Sequence, residues 1–240
     1  MTAKNKLIVA LDFPTWSEAE ELVQSLPEVS FFKVGLEMYL ASAGQAVKKL
    51  RQMGKEVFLD LKFHDIPNTV AQACRQAAGS GAAIFNVHAA GGSSMMKAAA
   101  QATAEAAAQC GFNKPLLIAV TILTSMNKSE LAQVMGEQDL QQTVVRLARL
   151  AKESGLDGVV ASPQEIQLIR SACGQDFSII CPGVRPTWAA SGDQKRVMTP
   201  GEAIRAGADY LVVGRPITKA ENPREAALKV IREMEEANHD

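Results

Sequence analysis

Hydrophobic and polar positions along the chain switch repeatedly between two periods. Short β-rich runs recur about eight times, and longer segments with helical spacing lie between them. Strands are expected at 6–11, 31–36, 57–62, 84–88, 116–121, 158–161, 178–181 and 210–214. Ser17 is expected to cap a helix with Glu18, Glu20 and Glu21 in its first turn, where acids suit the positive end of the helix dipole. Further helices are expected up to about Gly54 and over 67–78, 93–110, 140–154, 163–173, 200–206 and 222–237. Pro67 at a helix start loses no needed N–H. Residues 123–137 read as less regular, and 182–197, poor in apolar residues and in periodicity, as a long loop.

A repeated strand–helix unit implies parallel strands joined by right-handed crossovers. About eight units in 240 residues, with no linker, low-complexity tract or composition shift, predict an α/β fold, a single closed (β/α)8 TIM barrel spanning 1–240 as one domain. The alternative is an open doubly wound sheet, but Asp12-Phe13-Pro14 stands after the first strand where a dinucleotide fold would carry its glycine fingerprint.

A barrel puts its chemistry at the carboxyl ends of its strands, on side chains of inward parity. The sets Ile8-Ala10-Asp12, Phe31-Lys33-Gly35, Phe58-Asp60-Lys62 and Ile84-Asn86-His88 each bring polar groups to that end, while the alternate positions Leu11, Val34, Leu59, Leu61, Phe85 and Val87 are apolar. Charged groups on the inner face of an apolar strand cost desolvation energy, and buried ion pairs add little net stability over apolar replacements. Such a cluster therefore reads as a site.

The bulk properties narrow what that site serves. Lys and Arg number 25 against 26 Asp and Glu, a net charge of -1, which argues against sequence-independent nucleic-acid binding. The N-terminus has a basic start but an apolar run too short for a signal peptide, and no stretch approaches the ~18 apolar residues of a membrane span, so a cytoplasmic protein is expected. Cys74, Cys110, Cys173 and Cys181 are widely spaced and read as small core residues, and His64, His88 and His239 have no metal-binding spacing.

Lys33, Asp60, Lys62 and Asp65 alternate in charge. A lysine between carboxylates favours its ammonium form, which makes Lys62 a general acid and not a Schiff-base nucleophile. The two lysines leave no carboxylate excess for a divalent cation, so no metal is expected. A second constellation closes the eighth strand: Val213-Gly214-Arg215-Pro216 is where barrels often hold phosphate through backbone N–H groups, with Arg215 as a bidentate partner. The loop carrying Arg185 and Gln194 is placed to fold over a ligand. His88 reads as a hydrogen-bonded structural residue, and His64 takes no role.

Asp60 to Thr69, DLKFHDIPNT, resembles the D-x-K-x-x-D-I-P-x-T signature of the orotidine 5'-phosphate decarboxylase family. Ala10-Leu11-Asp12, Phe32-Lys33-Val34-Gly35, Leu123-Thr124-Ser125, Pro182-Gly183-Val184-Arg185-Pro186 and Val213-Gly214-Arg215-Pro216 match its other blocks in order, so the likeness covers essentially the whole chain. The resemblance implies cofactor-free loss of CO2 from orotidine 5'-phosphate to give UMP, the last step of de novo pyrimidine synthesis. It implies a homodimer in which Asp65 and Thr69 reach the neighbouring site. It makes Lys62 the proton donor beside Asp60 and the partner's Asp65, and gives Lys33 and Asp12 the ribose hydroxyls. It sets Thr124 near the pyrimidine, and gathers Gln194, Gly214, Arg215 and Arg185 around the phosphate. The nearest alternative is a Mg-dependent 3-keto-sugar-phosphate decarboxylase or hexulose-phosphate synthase on the same barrel. Those carry an acidic metal ligand in the second-strand region, where Lys33 stands here. A non-catalytic phosphate-binding barrel would need no Lys62 flanked by acids.

Overall fold

A computed structural model describes residues 2–111, 113–137, 139–189 and 198–237. Eight parallel strands close on themselves in chain order: β1 (Leu7–Ala10), β2 (Phe31–Gly35), β3 (Glu56–Phe63), β4 (Ile84–His88), β5 (Leu116–Val120), β6 (Gly158–Val160), β7 (Ser178–Pro182) and β8 (Tyr210–Val213). Closure is made by β1 and β8, with Leu7 opposite Leu211 and Val9 opposite Val213. The expected (β/α)8 barrel is the fold found.

The strand parity holds. Ile8, Phe31, Phe58, Ile84, Ile118 and Ile180 pack with one another inside the barrel, while Leu7, Val9, Phe32, Val34, Leu59 and Phe85 face the helices. Each such buried side chain contributes about 1.5–3 kcal/mol of transfer free energy. Phe31 and Tyr210 meet edge to face, 5.9 Å between centroids, and close the barrel at its amino-terminal end.

The outer ring is α1 (Ala3–Lys6), α2 (Trp16–Ser25), α3 (Leu36–Ala41), α4 (Gln45–Gln52), α5 (Pro67–Gly79), α6 (Gly92–Cys110), α7 (Lys128–Met135), α8 (Leu140–Glu153), α9 (Ile166–Cys173), α10 (Pro200–Ala206), α11 (Arg215–Thr218) and α12 (Pro223–Glu236). Several boundaries differ from the sequence reading. The cap of α2 is Thr15, whose hydroxyl accepts from the Glu18 amide at 3.4 Å, and Ser17 lies inside the helix. The segment after β2 is two helices, parted where Gly44 takes φ +78°. The segment after β5 contains α7, held by a reciprocal pair: Glu130 N–H donates to Asn127 Oδ1 at 3.0 Å, and Asn127 N–H to Glu130 Oε2 at 2.7 Å. Three cysteines are buried as expected, and burial pushes the Cys74 thiol up to about 12, but Cys110 is exposed at the end of α6.

The amino-terminal rim is stitched by charge. Arg170 of α9 has a side chain only 9% exposed and donates to the carbonyls of Phe177 at 2.6 Å, Gln175 at 3.1 Å and Gly207 at 2.7 Å, and pairs with Asp209. Asp209 in turn accepts from the Ile179 amide at 2.7 Å, so one guanidinium ties the entries of β7 and β8. Asp157 does the same for β5 and β6, accepting from Leu117 N–H at 2.9 Å and from Lys114 at 2.6 Å. None of these groups lies at the carboxyl-terminal rim, where the polar strand ends converge.

Candidate active site

At the carboxyl-terminal rim, β1, β2, β3 and β4 each deliver one or more polar side chains to one place. Lys33 Nζ stands 3.1 Å from Asp12 Oδ1 and 3.5 Å from Asp60 Oδ2. Lys62 Nζ stands 2.7 Å from Asp60 Oδ1. The order across the mouth is therefore Asp12, Lys33, Asp60, Lys62, alternating in charge. Asp60 is the buried centre, and Asp12, with a side chain 60% exposed, is the open end.

The geometry of β3 is not that of a regular strand. Leu59 pairs with Phe85 and Phe63 with Val87, so Asp60, Leu61 and Lys62 together face the single residue Asn86. Lys62 takes φ +53°, a left-handed conformation that costs a residue other than glycine about 1–3 kcal/mol. A surplus of two residues, unlike one, leaves the faces of the strand unchanged, so Phe63 beyond it packs on the helix side as Leu59 does before it. Asn86, fully buried, occupies the gap: its Nδ2 donates to Asp60 Oδ1 at 2.7 Å, and its Oδ1 accepts from the Lys62 backbone N–H at 2.8 Å. The sequence reading placed Asn86 on the inward parity but gave it no role.

Burial pushes the Asp60 carboxyl upward, but the charges of Lys33 and Lys62 and the hydrogen bonds from Lys62 and Asn86 outweigh it and hold it below the ordinary carboxylate value. Asp60 is thus a fixed anion between two lysines. His88, at the end of β4, lies 5.4 Å ring to ring from His64, and burial, reinforced by the charges of His64 and Lys62, keeps it below the usual imidazole value.

Asp65 does not join this cluster within the chain. Its carboxylate accepts from the Ile66 amide at 2.6 Å, and residues 64 to 69, Thr69 included, are exposed. The Asp65 expected beside Lys62 is the partner's, and within one chain Asp65 pairs with its neighbouring amide instead. Ile66 between them is 66% exposed, and Leu36 and Leu40 on α3 are 58% and 75% exposed.

Next to Asp12 and Lys33 opens a cavity of about 390 Å3, lined at its far side by Gly183, Arg185, Gly214, Arg215 and Lys219. It joins the charged strand ends to the close of β8, where Gly214 caps α11 and Arg215 begins it. Arg185 is held from the backbone, its N–H donating to the Met198 carbonyl at 2.9 Å. Thr124, just beyond β5, is half-buried. Gln194 lies outside the described residues. A larger surface groove of about 1020 Å3 runs along α8 past Asp139, Arg146 and Arg149, and contains none of the converging strand-end groups. Among the described residues no group of three or more His, Cys, Asp or Glu is placed to hold a metal ion, and no helix is long and apolar enough to cross a membrane.

An acid–base chain at one end of a cavity and two arginines at the other suit an anionic ligand with a polar middle. Residues 5–230 match the family described as orotidine 5'-phosphate decarboxylase / HUMPS. Over 233 residues the chain is 50% identical to the orotidine 5'-phosphate decarboxylase of a Nostoc species, covering 97% of this chain and 98% of that one. It is 52% identical over 237 residues to that of Moorella thermoacetica, covering 98% and 94%. The crystal structure of orotidine 5'-phosphate decarboxylase from Lactobacillus acidophilus superposes with a TM-score of 0.83 at 36% identity, covering 96% of this chain and 99% of the other.

Proposed function

The chain belongs to the orotidine 5'-phosphate decarboxylase / HUMPS family, and on that premise we propose that it converts orotidine 5'-phosphate to UMP and CO2. This is the decarboxylation step of pyrimidine biosynthesis. The observation that carries the reading is the Lys33–Asp60–Lys62 chain, with contacts of 3.5 and 2.7 Å, whose Lys33 end lines a cavity that also holds Arg185 and Arg215.

The bond from C6 of the pyrimidine to its carboxylate breaks, CO2 leaves, and the electron pair stays on C6 in the ring plane, outside the π system. Fixed charge is what serves such a pair. Lys62 supplies the nearest cation and then gives its proton to C6, and solvent reprotonates the amine. Asp60, held as an anion, aims that ammonium and stands beside the departing carboxylate. Lys33 and Asp12 take the ribose hydroxyls, and Thr124 lies by the pyrimidine. Gly214, Arg215 and Arg185, with Gln194, hold the phosphate. Phosphate binding remote from C6 is expressed in the transition state.

The working unit in this reading is a homodimer of a cytosolic one-domain chain, with Asp65 and Thr69 of each copy completing the other's site. Support lies in the exposed turn 64–69 and in the exposed apolar side chains of Ile66, Leu36 and Leu40. The rival Mg-dependent sugar-phosphate reading needs an acidic ligand where Lys33 is instead paired with Asp12 and Asp60.

An ultraviolet assay of orotidine 5'-phosphate loss in the presence of EDTA tests the proposal. Sustained turnover with UMP as product is expected. Loss of orotidine 5'-phosphate that EDTA abolishes and Mg2+ restores overturns the metal-free mechanism, and no turnover with or without Mg2+ removes the assignment.

A further inference from the structure

The closed ring formed by Asn86, Lys62 and Asp60 carries an inference beyond the charged residues themselves. Lys62 is tied at both ends: its backbone N–H donates to Asn86 Oδ1 at 2.8 Å, and its ammonium to Asp60 Oδ1 at 2.7 Å. The circuit is completed by Asn86 Nδ2, which donates to that same Asp60 oxygen at 2.7 Å. Asn86 is fully buried, and its bond to Asp60 is shielded from water.

The bulge explains why an amide side chain is needed there. With Asp60, Leu61 and Lys62 set against Asn86 alone, the Lys62 N–H has left the regular ladder to β4. A strand N–H taken out of its ladder needs another acceptor, and the Asn86 carbonyl replaces the lost partner. Only a group that accepts on one side and donates on the other can meet the Lys62 N–H and the Asp60 carboxylate together. Asparagine does so within the reach of one strand position.

We propose that Asn86 is a positioning residue for decarboxylation: it locks the left-handed backbone of Lys62 and the carboxylate of Asp60 into one unit, so that the ammonium is aimed at the reacting carbon before substrate arrives. Asn86 acts through Lys62 and Asp60. This rests on the decarboxylase reading.

Asn86→Ala and Asn86→Asp test it. The alanine variant removes both bonds. The aspartate variant keeps the shape and the acceptor but turns an oxygen, not an N–H, toward Asp60. A displacement of about 1 Å in a catalytic group costs roughly 100-fold, so kcat is expected to fall roughly 10- to 100-fold in both, with KM and UMP affinity within about twofold of wild type. A variant with a cooperative melt and wild-type kcat overturns the proposal, as does a fall confined to KM or to Tm. Hydrogen exchange at the Lys62 amide of the wild-type chain gives a readout that no variant's folding can spoil. Strong protection is expected, and exchange at the rate of an open loop overturns the inference. Absence of turnover in the wild-type chain fails the decarboxylase reading instead, and is thereby distinguished.

Discussion

The ammonium of Lys33 fills the space in which a side chain at Gly35 would begin: a β-carbon there would lie 2.8 Å from Nζ. Because that neighbour is the tip of a flexible chain, Gly35→Ala can be accommodated by swinging Lys33 aside. The fold then survives, but the contacts of Lys33 with Asp12 and Asp60 are lost. A melting temperature near wild type with kcat/KM reduced roughly 10- to 100-fold is expected. Steady-state kinetics beside a thermal melt check it, and unchanged kinetics would show that Lys33 has no directed role.

Lys62→Ala deletes the proposed proton donor without touching the arginine end of the cavity. General-acid groups contribute roughly 10²–10⁴-fold, and here the same group also supplies the nearest cation, so turnover is expected to fall by at least that factor. UMP binding, measured by calorimetry, stays largely intact. Near-normal decarboxylation by this variant would remove Lys62 from its role.

Arg215→Ala separates the two ends of the site. A hydrogen bond to a charged group contributes about 1.5–3 kcal/mol, or roughly 10- to 150-fold in affinity. That loss is expected for UMP and not for uridine, which lacks the phosphate. Equal weakening of both ligands argues against Arg215 as a phosphate contact.

Arg170→Met probes the opposite rim. It leaves the carbonyls of Phe177, Gln175 and Gly207 without their donor and Asp209 without its cation. A loss of about 3 kcal/mol is expected, lowering Tm by about 6–12 °C for a chain of this size. At temperatures where the variant is folded, kcat stays at the wild-type value. A Tm within about 2 °C of wild type would show the guanidinium to be dispensable.

Two groups of the site, His88 and Asp60, link the fold to acid in different windows. His88 is held below its ordinary 6.5 chiefly by burial, so the unfolded chain takes up that proton first. Its contribution is complete above about pH 6.5 and drains away as pH falls toward its lower folded value. Asp60 is held below its ordinary 3.8, so its contribution is present above that pH and disappears only in stronger acid. Between pH 7 and 5, Tm is therefore expected to fall, and to fall less in His88→Asn. Equal slopes for the two proteins would exclude His88 as the source.

Strand period and inward parity were legible in the residues because alternation is a local property. Ile8, Phe58 and Ile84 on one face and Leu59 and Phe85 on the other leave few registers open. What stayed hidden depends on partners distant in the chain or on conformations that sequence does not advertise. Nothing in a lysine signals a left-handed backbone, so the bulge at Lys62 and the work of Asn86 beneath it were not visible. Thr15 lies two residues before Ser17, and both are good caps, so local chemistry did not separate them. The helix α7 was missed although Asn127 and Glu130 spell a capping pair, because Leu131 is its one buried residue and its apolar stripe is faint. Alternating charge in Lys33, Asp60 and Lys62 was readable. That Asp65 turns to its own Ile66 amide was not, since a turn has no parity to read.

The surplus of two residues on β3 also bears on how the gene can change length. Deleting Leu61 alone would turn Lys62 and Phe63 to the wrong sides of the sheet, whereas removing a pair would straighten the strand and erase the arrangement at Lys62. Codon loss in this stretch therefore meets a barrier at either count. Divergence of this rim is left to proceed by exchanging side chains on a frame of constant length.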